Sequence, residues 1–218
     1  EMVLEGFTPY PSELVRMYIE KGYWLEKTVG DVLDRAVEAH PDQIALVDEK
    51  ERVTYRELAE RADRLALGLL ALGIGREDRV TVQLPNWSEF VYVYLALARI
   101  GAVGVMALPQ HRSREIGYML RLTESTAYIS PTVHRNFDYP EMIRGLRSDL
   151  PHLRHLIAVG EGLPPGALSL SKLMEPEPSG PYRREDLPRL RPTPNDVSVL
   201  LWTGGTTAEP KGVPHTYN

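Results

Sequence analysis

A chain of 218 residues with 43% hydrophobic and 25% charged residues can bury a substantial core, which excludes wholesale disorder. Its formal net charge of -5 argues against a general nucleic-acid binder, and the lack of any cysteine removes disulfides, zinc–thiolate sites and thiol nucleophiles. The first ten residues lack the basic start and apolar run of a signal peptide, and the longest apolar stretch, Phe90 to Leu108, is interrupted by Arg99, so no membrane contact and a cytoplasmic location are expected.

In chain order, Leu14, Val15, Tyr18 and Ile19 share one face of a helix that follows Ser12 and stops at Gly22. A second helix carries Val29, Val32, Leu33, Ala36 and Val37 and ends at His40-Pro41. Ile44–Val47 is an apolar run of strand length, and after the polar turn Glu49-Lys50-Glu51 the segment Arg52–Thr54 returns as a second strand. Thr54-Tyr55-Arg56-Glu57 has the form of a capping box, and the helix behind it should bury Leu58, Ala62, Leu65, Ala66 and Leu69 before Gly73 closes it. A strand at Arg79–Leu84, a helix from Ser88 to Ile100, a strand at Val103–Leu108, a helix near Arg114–Leu122 and a strand at Thr126–Ser130 follow. A weaker helix at Pro140–Arg147 and a strand at Leu156–Val159 continue the alternation. Strands that are apolar throughout suit a sheet covered on both faces, which predicts the parallel α/β class.

Six of the 18 prolines fall between Pro176 and Pro194, so this stretch is expected to run as an extended surface connection. The predicted organisation is an N-terminal extension at 1–27, an α/β sub-domain at 28–160, a Pro-rich connection at 161–196, and a strand and loop at 197–218 that open a further sub-domain. A buried strand and a glycine loop as last elements predict that the chain is the N-terminal portion of a larger protein.

That strand, Val197–Trp202, runs directly into Thr203-Gly204-Gly205-Thr206-Thr207-Ala208-Glu209-Pro210-Lys211-Gly212. Adjacent glycines let a backbone approach a ligand and turn several N–H groups toward one point. Thr203, Thr206 and Thr207 add hydroxyls and Lys211 a mobile cation, so Thr203, Gly204, Gly205, Thr206, Thr207 and Lys211 together make a candidate polyphosphate cradle. It is not a Walker A sequence, since Pro210 precedes the lysine and Gly212 follows it, and no GxGxxG occurs.

Trp202 to Asn218, WTGGTTAEPKGVPHTYN, resembles the phosphate loop of the adenylate-forming ligases, the superfamily of acyl-CoA synthetases, peptide-synthetase adenylation domains and luciferases. The segments from Tyr10-Pro11-Ser12 through Trp24, and from Ala107 to Ile116, are similar to stand-alone aryl-acid AMP ligases of the 2,3-dihydroxybenzoate and salicylate type. Val53–Leu58 matches a helix start common to the whole superfamily. The resemblance covers essentially all 218 residues. It departs from the family where glycine is usual and this chain has Ala208, and where histidine is usual and this chain has Tyr217.

The resemblance implies an N-terminal ligase domain of alternating helices and strands, cut after the phosphate loop. It implies a reaction in which an aryl carboxylic acid attacks the α-phosphate of ATP, accompanied by Mg²⁺, and pyrophosphate leaves. The aryl group then passes to the pantetheine thiol of an aryl carrier protein or to coenzyme A, in siderophore or nonribosomal peptide assembly. By position, Thr203 to Thr207 would hold the leaving phosphates, and Lys211 would act at the base of the loop. No catalytic residue is assigned within 218 residues, because the acid pocket, adenine contacts and C-terminal lysine of relatives lie further along; the chain alone is expected to be inactive. The alternatives are an acyl- or aryl-CoA synthetase and, in another class, a non-catalytic nucleotide-binding or interaction module.

His111-Arg112 falls at a strand-to-helix junction, where α/β sheets place ligands. The pair could face the acyl or nucleotide site, or be structural with Arg112 pairing a helix carboxylate, and Tyr217 shares that ambiguity. No metal site is expected: His152 and His155 lack a third ligand, and His215 is equally explained by chance. Asp31/Asp34 and Glu57/Glu60 read as exposed helix faces, Arg183–Asp186 as a solvated mixed-charge stretch, and Trp87, Phe90, Tyr92 and Tyr94 as core packing.

Overall fold

The computed structural model describes residues 8–175, 180–204 and 209–218. Helix α1 (Ser12–Glu20) buries no residue and lies against an aromatic group in which Trp24 meets Tyr10 and Tyr18 at ring-centroid distances of 5.2 and 5.3 Å. Helix α2 (Val29–Ala39) begins at a capping box: Thr28 Oγ1 accepts the Asp31 N–H, and the Asp31 carboxylate accepts the Thr28 N–H at 2.8 Å. Strands β1 (Ile44–Val47) and β2 (Arg52–Thr54) form an antiparallel ribbon. Thr54 then caps α3 (Tyr55–Ala71), with Glu57 completing a second box. Gly68 of α3 is required by close packing, since a Cβ there would lie 2.3 Å from the Leu173 carbonyl oxygen.

The alternation continues with β3 (Arg79–Val82), α4 (Ser88–Ile100), β4 (Val103–Met106), α5 (Ser113–Leu122) and β5 (Ala127–Pro131). Helix α4 stops at Gly101, whose φ of 69° is the left-handed cap that glycine adopts without strain. A small hairpin, β6 (Val133–His134) and β7 (Phe137–Asp138), precedes α6 (Tyr139–Leu146), then β8 (His155–Val159), β9 (Ala167–Ser169) and α7 (Leu170–Leu173). The chain closes with α8 (Leu187–Leu190), β10 (Val197–Thr203) and β11 (Lys211–Thr216).

Seven strands make one sheet in the order β11-β10-β4-β3-β5-β8-β9, parallel except for the antiparallel pair β10–β11. Period-two alternation sorts its side chains into two cores. Val80, Val82, Ala127 and Ile129 join the cluster under α3 and α4, whereas Tyr128 joins the one built from Ile116, Met119, Leu120 and Ile143 of α5 and α6. This is the α/β class expected, with helices on both faces. No described helix is long and apolar enough to cross a membrane.

The stretch expected to be an extended surface connection is docked instead. Leu187 is buried, Arg184 Nε bonds Asp63 Oδ2 at 2.8 Å, and Arg191 Nη1 bonds Asp31 Oδ1 at 3.0 Å. Asp31 and Asp34 are consequently ion-paired rather than simply solvated, and Arg184 leaves the solvated stretch proposed for 183–186. The residues after the loop, for which the sequence pattern marks no element, form β11 against β10, with Thr203 opposite Lys211 and Leu201 opposite Val213.

Candidate functional site

Because β10 runs parallel to β4, Thr203 and Gly204 lie at the same end of the sheet as the segment after β4. Ligands of open α/β sheets collect at this carboxyl end. Thr203 and Lys211 face each other across the mouth of the β10–β11 hairpin, and both are exposed. The Thr203 hydroxyl reaches the Lys211 carbonyl only at 3.5 Å, too long for a firm hydrogen bond, which leaves it able to serve a ligand. Gly204 has open space on the side where a Cβ would stand. Gly205, Thr206, Thr207 and Ala208 lie outside the described residues. An exposed cation, a hydroxyl and an uncrowded glycine fit a phosphate ligand.

The structure brings the His111-Arg112 segment to this hairpin. Arg114 Nη2 lies 3.5 Å from Glu209 Oε1, and the Tyr118 ring meets Trp202 edge-on at 6.1 Å. Neither contact has a local pattern to announce it; only the parallel pairing of β4 with β10 makes neighbours of residues nearly a hundred positions apart. The turn from Leu108 to His111 is closed by the His111 N–H donating to the Leu108 carbonyl at 3.0 Å. The Leu108 N–H in turn donates to His111 Nδ1 at 3.2 Å. Burial pushes the His111 imidazole below its ordinary pKa; the Arg112 cation acts the same way and Glu115 opposes it.

Arg112 does not pair with a helix carboxylate through its side chain. Its Nη1 donates to the carbonyls of Pro109 and His111, each at 2.8 Å, and the guanidinium lies 3.9 Å over the Phe137 ring. Its backbone N–H donates to Glu115 at 3.0 Å, and this bond holds the Glu115 carboxyl below the usual range.

Tyr217 is not brought to the hairpin mouth. It follows Thr216, which pairs with Val197 at the opposite end of β10. Burial raises its phenol pKa, and its hydroxyl, near Ser198, has no hydrogen-bond partner among the described residues. His215 is exposed on β11, on the same strand face as Lys211 but four residues away, about 13 Å along the strand. His152 lies 3.6 Å from Glu124, below the amino ends of the strands. The two residues missed from sequence are Gln83 and Tyr128, both fully buried beneath the His111 turn; a glutamine ending an apolar strand was the available signal.

Comparison with known proteins gives consistent matches. Residues 33–218 match the family model described as AMP-binding enzyme. The chain is 40% identical over 219 residues to the 2,3-dihydroxybenzoate-AMP ligase of Bacillus subtilis, covering 99% of this chain and 38% of that protein. It is 38% identical over 217 residues to a salicylyl-CoA synthase/salicylate adenylyltransferase of a Streptomyces species, covering 100% of this chain and 39% of the relative. Among solved structures, apo MbtA of Mycobacterium smegmatis superposes with a TM-score of 0.86 at 38% identity, over 98% of this chain and 38% of that one. The chain thus spans well under half the length of the relatives it matches.

Proposed function

Given that the chain belongs to the AMP-binding enzyme family, and within it resembles the aryl-acid AMP ligases, we propose that it forms part of an ATP-dependent ligase that adenylates an aryl carboxylic acid of the 2,3-dihydroxybenzoate or salicylate type. The observation that carries this reading is the β10–β11 hairpin at the carboxyl end of the sheet, with Thr203 opposite Lys211 and a glycine loop between them. Thr203, Gly204, Gly205, Thr206, Thr207 and Lys211 would hold the phosphates of the substrate ATP and of the pyrophosphate that leaves. Mg²⁺ would enter with the nucleotide and offset phosphate charge. The chain's own contribution is positioning and charge neutralisation: hydroxyl and backbone donors orient the leaving oxygens, and the lysine stabilises the charge they gain. His111 and Arg112, linked to the hairpin through Arg114 and Glu209, stand on the substrate side.

The acceptor proposed is the pantetheine thiol of an aryl carrier protein, in siderophore or nonribosomal peptide assembly. The Streptomyces relative is named a CoA synthase, which favours coenzyme A as the second reading. Pyrophosphate exchange into ATP tests the first step, using the complete ligase and a panel of aryl and aliphatic acids. Exchange with aryl acids supports the proposal, and none with any acid removes it. Mass spectrometry of the acylated thiol then separates carrier protein from coenzyme A. Because the chain spans 38% of its relatives, the 218 residues by themselves are expected to give no exchange.

A further inference from the structure

A buried polar network underlies the His111 turn. Gln83, immediately after β3, is fully buried, and its Nε2 donates to the Leu108 carbonyl at 2.8 Å and to the His111 carbonyl at 2.9 Å. Two carbonyl acceptors require the NH₂ end of the amide there, which leaves Oε1 to accept the hydroxyl of Tyr128, also fully buried. From the other side the Tyr139 hydroxyl donates to the Pro109 carbonyl at 2.9 Å. Both polar atoms of the Gln83 amide thus have partners, and Nε2 alone fixes the two ends of one four-residue turn.

The turn dictates the state of the ring. With the Leu108 N–H directed at Nδ1, that nitrogen must keep its lone pair, so the neutral ring carries its proton on Nε2. Protonating Nδ1 would set two N–H groups against each other at 3.2 Å. Nε2–H makes no hydrogen bond to a described residue, and the segment lies at the ligand end of the sheet, tied to the hairpin by Arg114 and Glu209.

We propose that Gln83, oriented by Tyr128, is a positioning residue for His111: by clamping the Leu108 and His111 carbonyls it holds the imidazole neutral, as an Nε2–H donor for a carboxylate or phosphoryl oxygen of the ligand. The identity of that ligand rests on the adenylation proposed above; the clamp itself does not. The charged groups nearest the ring are Arg112 and Glu115, with the Arg114–Glu209 pair beyond them, and the phenols of Tyr128 and Tyr139 are the other titratable groups packed on the turn.

The test is an NMR titration of His111 in this chain, its signal assigned by loss in His111→Gln. Gln83→Met keeps the shape and removes the donors, so the midpoint should rise toward the ordinary histidine value by about half a pH unit or more. Tyr128→Phe, which removes only the orienting phenol, should move it less in the same direction, and it serves if Gln83→Met does not fold. Thr81→Val breaks the neighbouring buried pair of Thr81 and Ser125 hydroxyls (2.8 Å) and should lower stability without moving His111. An unmoved midpoint in Gln83→Met, or in Tyr128→Phe where that variant stands in, overturns the clamp, as does an equal shift in Thr81→Val. Salicylate and pyrophosphate added separately to the complete ligase report on the ligand. A shifted midpoint in Gln83→Met with no response of His111 to either probe upholds the clamp and counts against the adenylation site.

Discussion

Two charged constellations of this molecule are built in opposite ways. Around Arg99, whose side chain is 4% exposed, every charge is satisfied from within: Nε bonds Asp63 at 2.9 Å, Nη2 bonds Asp34 at 2.7 Å and Nη1 reaches the Gly30 carbonyl at 3.3 Å. Arg184 and Arg191 close the network from the Pro-rich segment. Burial alone would push the Asp34 carboxyl up, but Arg99 and Arg191 outweigh it and hold it below its ordinary value. At the hairpin mouth, by contrast, Lys211 and Thr203 are exposed, and the Thr203 hydroxyl is only loosely engaged among the described residues. A charge cluster paired internally fastens helices together and keeps little capacity for a ligand. One left open to solvent at the end of a sheet contributes little to folding and keeps its donors for binding.

The largest expected effect falls on the paired cluster. Arg99→Leu leaves Asp34 and Asp63 without their shared partner inside the layer of α2, α3 and α4, and should cost about 3 kcal/mol in urea unfolding. A loss below about 1 kcal/mol would mean that Arg184 and Arg191 alone neutralise both carboxylates, and the contrast between the regions would dissolve.

The opposite pattern is expected at Lys211. In the complete ligase, Lys211→Ala should lower pyrophosphate exchange by about 10²-fold. Its effect on the stability of this chain should stay within about 0.5 kcal/mol, because the side chain is exposed. Unchanged exchange would strip the hairpin of its phosphate role, and a large stability loss would make Lys211 a structural residue like Arg99.

The sequence exposed one of these regions better than the other. Glycines, hydroxyls and a lysine within nine positions mark the hairpin loop, and a capping box at Thr54 marks the start of a helix, because each of these devices acts over a few residues. The Arg99 network joins residues from positions 30 to 191, and no local pattern carries that information. Prolines made the segment from 176 to 194 read as a solvated connection, although Leu187 is buried and two of its arginines enter the helix layer. Strand β11 was illegible for the same reason: Gly212 and Pro214 resemble a break, yet a proline sits without penalty on a strand that has one hydrogen-bonding neighbour. Gln83 escaped notice because its partners are distant in the chain: Leu108 and His111 follow β4, and Tyr128 lies within β5.

A smaller effect separates local devices from distant ones. Thr54→Ala removes the hydroxyl that caps α3 and should cost about 1 kcal/mol, since the first-turn N–H groups can turn to water. Thermal unfolding measures it, and a cost approaching that of Arg99→Leu would show that the helix start also supports tertiary packing.

The smallest effect is expected in acid. Asp48, in the turn between β1 and β2, accepts the Ser88 hydroxyl and the N–H groups of Lys50 and Glu51 at 2.8 and 3.0 Å, tying that ribbon to the start of α4. The Ser88 hydroxyl above all, then these N–H groups, hold its pKa down to about 2. A carboxyl depressed on folding binds its proton first in the unfolded chain, so its stabilisation is complete above the unfolded value near pH 4 and is lost as pH falls through about 2. Ser88→Ala withdraws the largest of these bonds and should flatten the fall of the unfolding temperature between about pH 4 and pH 2 relative to the wild type. A variant with an equally steep acid limb would assign that loss to the carboxylates around Arg99, whose pairing Ser88 does not touch.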